Sequence, residues 1–295
     1  IAVKDLCFTR GVRTMGGSKA SVNHVPDFDG TVVTKLNEAG AVMLGKLNLT
    51  EGAMGGYNPE FQIPINPWNA DRWAGSSSSG SGVSTAAGLA FGSLGSDTGG
   101  SIRFPASSCG TVGLKPTWGR VSRYGVLALA ESLDHVGPLA RSSADAAIML
   151  QAISGLDPND PTTLAAPVPD MLDGIDSGVR GLRIGWSEKY STDGVDAEVA
   201  AAVREGVKVL ESLGAVIVEV EMPDVDSYLS AWPILCTAEA VEAHEATYPS
   251  HKDDYGPFFR GWLDMGAGVT GAGYAKANNR RDELTGLLRL AFADI

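Results

Sequence analysis

Residues 73–116 concentrate small hydroxyl and glycine residues in a pattern suited to acyl chemistry. Two Gly/Ser clusters, residues 75–82 and 95–101, flank a segment, residues 83–94, whose only polar side chains are Ser and Thr. A segment of that composition is expected to be buried on most sides. Glycine serves where the backbone must turn left-handed or approach a ligand closely. The run Asp97-Thr98-Gly99-Gly100-Ser101 offers consecutive N–H groups able to converge on one anionic oxygen. A flexible linker is the alternative reading, but linkers are not interrupted by Leu-Ala-Phe-Gly-Ser-Leu or followed at once by Ile-Arg-Phe-Pro. Amide cleavage needs an activated nucleophile, a proton path to the leaving amine and donors for a tetrahedral oxyanion.

These residues resemble the signature of the amidase signature family of serine hydrolases. The family's GGSSGGS, its helix of small residues, its G-(S/T)-D-x-G-G-S-(I/V)-R-x-P and its G-L-K-P-T are met by GSSSSGS, GSDTGGSIRFP and GLKPT. Ser77 and Ser101 lie 24 residues apart, as the family's two serines do. The resemblance extends from Ile1 to the C-terminus and is strongest between residues 74 and 142. It implies Ser101 as the nucleophile, Ser77 as the bridging serine that relays its proton, and Lys4 of Val-Lys-Asp as the base. It also implies an oxyanion hole made by the N–H groups of Thr98, Gly99, Gly100 and Ser101, with no cofactor and no metal. Two departures stand out. The family's peptide bond before the bridging serine is cis and usually Gly-Ser, whereas here it is Ser76-Ser77, and Ser79 replaces a usual Gly.

A lysine base carries a physical condition. Its ordinary pKa near 10.4 leaves it protonated at pH 7, so burial without a carboxylate partner must lower that value by about three units, about 4 kcal/mol. Asp97 is the one charge within residues 74–101, and it must be turned elsewhere, toward Arg103.

Positioning these groups requires a scaffold. Ile1-Ala-Val-Lys reads as a short strand, and residues 31–39 as an amphipathic helix with Val32, Val33, Leu36 and Ala39 on its apolar face, stopped by Gly40. Residues 41–46 read as a buried strand. After Ser101, Ile-Arg-Phe-Pro-Ala-Ser-Ser-Cys begins a helix expected to aim its free N–H groups at the active centre. Residues 143–155 read as a capped amphipathic helix, and 157–170 as a Pro-rich connector. Residues 182–222 alternate strand, helix and strand, and from Asp226 the chain is mainly helical. In family members the segment around 127–135 borders the substrate cavity. The expected fold class is α/β, a mixed, largely twisted central sheet covered by helices on both faces. The resemblance implies a single domain over residues 1–295 with its catalytic core in 1–142, apparently truncated at both ends relative to the family.

With 295 residues and 44% hydrophobic residues, a sizeable core can be buried. No run reaches the length of a membrane helix. The net charge of −12 disfavours nucleic acid as a direct partner. Cys7, Cys109 and Cys236 are odd in number and widely separated, which indicates neither a disulfide framework nor a zinc site, and a reducing cytoplasm is the default location. Residues 40–47 nearly spell a phosphate-binding loop, but Leu47 stands where Ser or Thr is required. Residues 266–271 spell GxGxxG with no strand before them and read as a flexible loop. No GxSxG occurs, no lysine has a serine three residues before it, and HExxH is absent. Asp134 and His135 are adjacent, an arrangement that seldom makes a triad's internal hydrogen bonds. The resulting expectation is a hydrolase of linear carboxylic amides, extending to esters, anilides or carbamates, acting on a small-molecule substrate through an acyl-enzyme. The alternative is the glutamine-hydrolysing component of a tRNA-dependent amidotransferase, the one designated A. Homo-oligomerisation is left open.

Overall fold

The computed structural model describes residues 1–293 and Ile295. The chain divides into two compact units, one of Ile1–Asp173 with Cys236–Val269 and one of Gly174–Leu235 with Thr270–Ile295. Lys4, Ser77 and residues 97–101 all belong to the first.

The first unit is built on a five-stranded mixed sheet of β1 (Ala2–Lys4), β2 (Lys46–Leu47), β3 (Gly92–Asp97), β4 (Val112–Gly113) and β5 (His135–Ala140). The strand order is β2-β1-β3-β5-β4. β1 runs parallel to β2 and β3, with Val3 opposite Lys46 and Leu94, and β5 runs antiparallel to β3 and β4. Alternation along the strands sends Val3, Leu94, Val136 and Ala140 into one core. There they meet Val32, Val33 and Leu36 of α1 (Thr31–Glu38) and Ala146, Met149, Leu150 and Ile153 of α4 (Ser143–Ile153). Each fully buried aliphatic side chain in that core contributes about 2 kcal/mol. Leu139 faces the other way, against Ile102 and Ala106 of the α3 region (Arg103–Cys109), and α2 (Ser79–Ala86) packs beside β1 and β3. Helices thus cover both faces of the α/β sheet, as expected. Ser142 caps α4 by accepting from the Asp145 N–H at 3.1 Å, and Gly40 follows α1 with a φ of +81°.

Two local expectations are corrected. Residues 41–46 do not form a buried strand: only Lys46–Leu47 pairs as one, and Val42 and Leu44 are 72% and 60% exposed. The run lies along the sheet's edge, so Ala41 and Met43 reach the core while their neighbours face outward. Nor is the whole of 83–94 buried, because Leu89 and Phe91 stand exposed in the turn between α2 and β3.

The second unit contains a parallel pair, β6 (Arg183–Trp186) and β7 (Val216–Glu219), joined through α5 (Glu188–Thr192) and α6 (Ala197–Ser212). This is the strand, helix, strand unit read from the sequence. α7 (Ala231–Ala243), α8 (Pro257–Ala267) and α9 (Gly271–Ala291) complete the chain. Residues 266–271 are not a free loop but the junction of α8 and α9, and a Cβ on Gly266 would lie 2.0 Å from the Thr237 carbonyl oxygen. No helix among the described residues is long and apolar enough to cross a membrane.

Candidate active site

Lys4 ends β1 with its side chain fully enclosed, the residue being 1% exposed. Its Nζ donates to Ser77 Oγ at 2.6 Å and to Ser96 Oγ at 2.9 Å. Parallel pairing with β3 brings Ser96 within reach, and the loop before α2 delivers Ser77. The Ser76–Ser77 peptide bond is cis, as the resemblance implied for this position.

Ser78 fixes that loop to the sheet. Its hydroxyl donates to the Ser96 carbonyl at 3.1 Å and accepts from the Ser96 N–H at 3.2 Å, while its own N–H donates to the Ser101 carbonyl at 3.2 Å. The approach demands glycine at position 95, where a Cβ would come within 2.8 Å of Ser78 Oγ. Ser79, the departure noted above, accepts a hydrogen bond from Tyr57 Oη at 2.6 Å. The structure therefore brings Lys4 and Ser77 into direct contact and ties Ser101 to them through the main chain. The Ser101 hydroxyl makes no hydrogen bond among the described residues, and the residue is half-buried.

Burial lowers the Lys4 pKa to about 7, against the opposing pull of Asp134, Cys7 and Asp97. An amine surrounded by hydroxyls keeps little reason to stay charged once water is removed. Asp97 is turned away as the sequence required. Burial alone would raise its pKa, but hydrogen bonds from Arg103, the guanidinium charge and the N–H groups of Ile102 and Gly100 bring it below the ordinary carboxylate value. Arg103 donates from Nε at 3.0 Å and from Nη2 at 2.9 Å.

The same carboxylate corrects the expectation for α3. The N–H groups of Ile102 and Arg103 at its start donate to Asp97 Oδ2, at 3.1 and 3.4 Å, rather than pointing into the active centre. The Gly100 N–H donates to Asp97 Oδ1 at 2.7 Å. Of the four donors assigned to an oxyanion hole, Gly100 is thus engaged, while the N–H groups of Gly99 and Ser101 have no acceptor among the described residues. Gly100 sits at a φ of +126°, a conformation that side chains resist.

Asp134 and His135 do not form a pair with a serine. Asp134 accepts from Thr98 Oγ1 at 2.5 Å and from the N–H groups of Leu129 and Ala130 at 2.8 and 3.1 Å. His135 Nδ1 lies 3.0 Å from the Asp97 carbonyl and 2.6 Å from that of Leu133, so it carries the proton. A cavity of about 30 Å³ is lined by Ser96, Arg123, Leu127, Glu131, Asp134 and His135 among others, which places residues 127–135 against the site. A larger hollow of about 1110 Å³ lies in the second unit among residues 187–193 and 219–226, remote from these groups in the sequence. The three cysteines are buried and free. Among the described residues no cluster of His, Cys, Asp or Glu could hold a metal ion.

Sequence reasoning missed Ser96 and Ser78, and considered Asp134 only beside His135, not as the partner of Thr98. Ser96 immediately precedes Asp97 inside the recognised motif, but nothing in its type distinguishes it from neighbouring serines that only support the backbone.

A mixed sheet that delivers a buried amine to a serine hydroxyl, beside a glycine loop, sets narrow limits on related proteins. The sequence model of the family described as Amidase matches residues 1–294, and the chain belongs to that family. The protein of Mycobacterium tuberculosis (strain ATCC 25618 / H37Rv) named "Putative amidase AmiD" is 45% identical over 297 residues, covering 100% of this chain and 62% of its own length. The A component of the Glutamyl-tRNA(Gln) amidotransferase of Geobacter sulfurreducens is 50% identical over 242 residues, covering 81% of this chain and 50% of its own. Among solved structures, the corresponding amidotransferase component from Thermotoga maritima superposes with a TM-score of 0.86 at 38% identity, covering 99% of this chain and 65% of the other. A chain from a complex concerned with the origins of an s-triazine catabolic enzyme gives a TM-score of 0.91 at 35% identity, covering 99% and 64%. The chain thus spans less than two thirds of the length of these relatives.

Proposed function

We propose that this chain forms the catalytic part of a hydrolase that cleaves a carboxylic amide C–N bond through the Ser101, Ser77 and Lys4 relay. The observation that carries the reading is the buried amine of Lys4, 2.6 Å from Ser77 Oγ and lowered by burial to a pKa of about 7. A neutral amine presents one lone pair and two N–H groups. Ser96 Oγ, at 2.9 Å, accepts one of those N–H groups and leaves the lone pair for the Ser77 proton.

In the proposed reaction Ser101 Oγ attacks the amide carbon and passes its proton to Ser77, which passes its own to Lys4. The tetrahedral oxyanion lies against the N–H groups of Gly99 and Ser101, with Thr98 and Gly100 framing the loop. The C–N bond breaks, the leaving amine takes the proton back through Ser77, and an ester to Ser101 remains. Water then repeats the sequence and releases a carboxylic acid. Esters, anilides and carbamates present the same carbonyl and are proposed as further substrates.

A second reading is favoured by the relatives named as amidotransferase components: the same relay would release ammonia from glutamine for a partner chain. A fluorophosphonate should label wild-type protein at Ser101 and fail to label Ser101→Ala. Labelling retained at another serine would overturn the assignment. Hydrolysis of a panel of simple amides, glutamine and carbamates, with and without partner chains, separates the two readings.

A further inference from the structure

The loop 98–101 belongs to no helix or strand, yet its donors must be held in place before substrate arrives. Asp97 clamps its far side through Gly100, Ile102 and Arg103. Its near side, at Thr98, is held by a different carboxylate. β3 and β5 are antiparallel with Asp97 opposite His135, so Asp134 sits one residue before the partner of Asp97 and at the same end of the sheet. Both Asp134 and Thr98 are 8% exposed. One Asp134 oxygen accepts from Thr98 Oγ1, and the other accepts from the main chain of Leu129 and Ala130. Those residues open a turn that closes on itself, with the N–H groups of Leu133 and Asp134 both donating to the Ala130 carbonyl. The same turn lines the cavity beside Ser96.

Building on the proposed relay, we propose that Asp134 is a positioning residue, whose carboxylate ties the Thr98 end of the oxyanion loop to the 129–134 turn. It holds no substrate. It fixes the spacing between the donors of Gly99 and Ser101 and the wall of the cavity. A second effect comes through charge. The groups that act on Lys4 are Asp134, Cys7 and Asp97, with the hydroxyls of Ser77 and Ser96 in contact. Of the three, Asp134 pulls hardest toward the charged amine, and Asp97 is already neutralised by Arg103. Asparagine at 134 keeps an acceptor for the turn but removes the negative charge, so the free amine persists to lower pH.

The test compares Thr98→Val, Thr98→Ser and Asp134→Asn in the intact protein. It follows fluorophosphonate labelling of Ser101 and hydrolysis of a reactive acyl substrate as a function of pH. Thr98→Val is nearly isosteric and removes the donor; it should lower kcat about tenfold or more, because a small misplacement of reacting groups costs up to about 100-fold, with a smaller change in KM. Thr98→Ser restores the donor and most of the rate. Asp134→Asn should lower the rate and move the acidic limb of the labelling profile to lower pH, which a carboxylate serving only stability would not do. Full activity in Thr98→Val, or an unmoved limb in folded Asp134→Asn, overturns the inference. If Asp134→Asn fails to fold, the Val and Ser pair at 98 decides alone. Absence of labelling in the wild type refutes the hydrolase reading and this inference together, whereas a labelled wild type with unaffected variants refutes this inference only.

Discussion

Replacing Lys4 by methionine should destroy activity and, at mildly acidic pH, make the protein more stable. The folded state lowers the amine's pKa from 10.5 to about 7, which places about 5 kcal/mol of penalty on the protonated form. Below pH 7 both states hold the proton and the penalty is nearly complete. Between about 7 and 10.5 the unfolded chain binds more protons than the folded one, so stability rises with pH and the penalty fades. Methionine fills the same space without charge. It forfeits the hydrogen bonds to Ser77 and Ser96, about 1 kcal/mol each. The net gain is about 3 kcal/mol at pH 6 and about zero at pH 9. Urea unfolding of both proteins at the two pH values measures this directly, and labelling of Ser101 should fall to background in the variant. A Lys4→Met protein less stable than wild type at pH 6, or a difference that does not change with pH, would refute the claim that the site holds its amine neutral by burial.

Other perturbations probe the supports one at a time. Wild-type labelling should rise through about pH 7, the Lys4 value, and fall about 50-fold between pH 7 and pH 5 as the neutral fraction drops; a flat profile would rule out an amine base. Ser96→Ala should lower kcat with little change in KM, because a Lys4 N–H loses the acceptor that orients the amine, and Ser96→Thr should recover part of the rate in a steady-state assay. Arg103→Met should destabilise the protein by about 2 kcal/mol at neutral pH, discounted for a guanidinium that is half exposed. Since the Asp97 pKa is depressed in the fold, its stabilisation is present above the ordinary carboxylate value and lost as pH falls through the folded one. The variant should therefore lose its acid resistance at a higher pH, visible as a shifted acid-denaturation midpoint. Gly95→Ala should cost about 1 to 3 kcal/mol by driving a methyl group into Ser78 Oγ, read as a lower urea midpoint together with slower labelling.

The meeting of Lys4 with Ser77 was more legible in the sequence than the packing around it. The residues around Ser77 and Ser101 carry a pattern that type and spacing expose, and Val32, Val33 and Leu36 sit where a 3.6-residue period puts them. The edge run 41–46 misled because residues 41–44 are all apolar, while pairing on one side leaves every second side chain outside. Nothing local marks an edge. The start of α3 misled for a related reason. A helix N-terminus offers donors to any anion, and the sequence does not say which anion arrives; here Asp97 bends back and takes them. The roles of Ser96 and Asp134 were invisible because they exist only across strands, Ser96 facing Lys4 from β3 and Asp134 facing Thr98 from the residue before β5.

A neutral lysine beside two buried carboxylates looks contradictory until the partners of each are followed. Asp97 and Asp134 both favour a charged amine at Lys4, and either one left without other donors would hold the ammonium as an ion pair. Asp97 receives a guanidinium and main-chain donors, and Asp134 receives one hydroxyl and two main-chain donors. Lys4 Nζ makes its hydrogen bonds to hydroxyls alone. Two of the hydrogen bonds that engage these carboxylates, from Thr98 to Asp134 and from Gly100 to Asp97, also hold the loop 98–101, so freeing the proposed base and shaping the loop are coupled. Loosening the loop would release negative charge toward the amine, and a protonated Lys4 could not take the Ser77 proton in the proposed relay. The coupling predicts that substitutions at 97, 98, 103 and 134 will change rate and pH dependence together, whereas substitutions in the substrate wall will change rate alone.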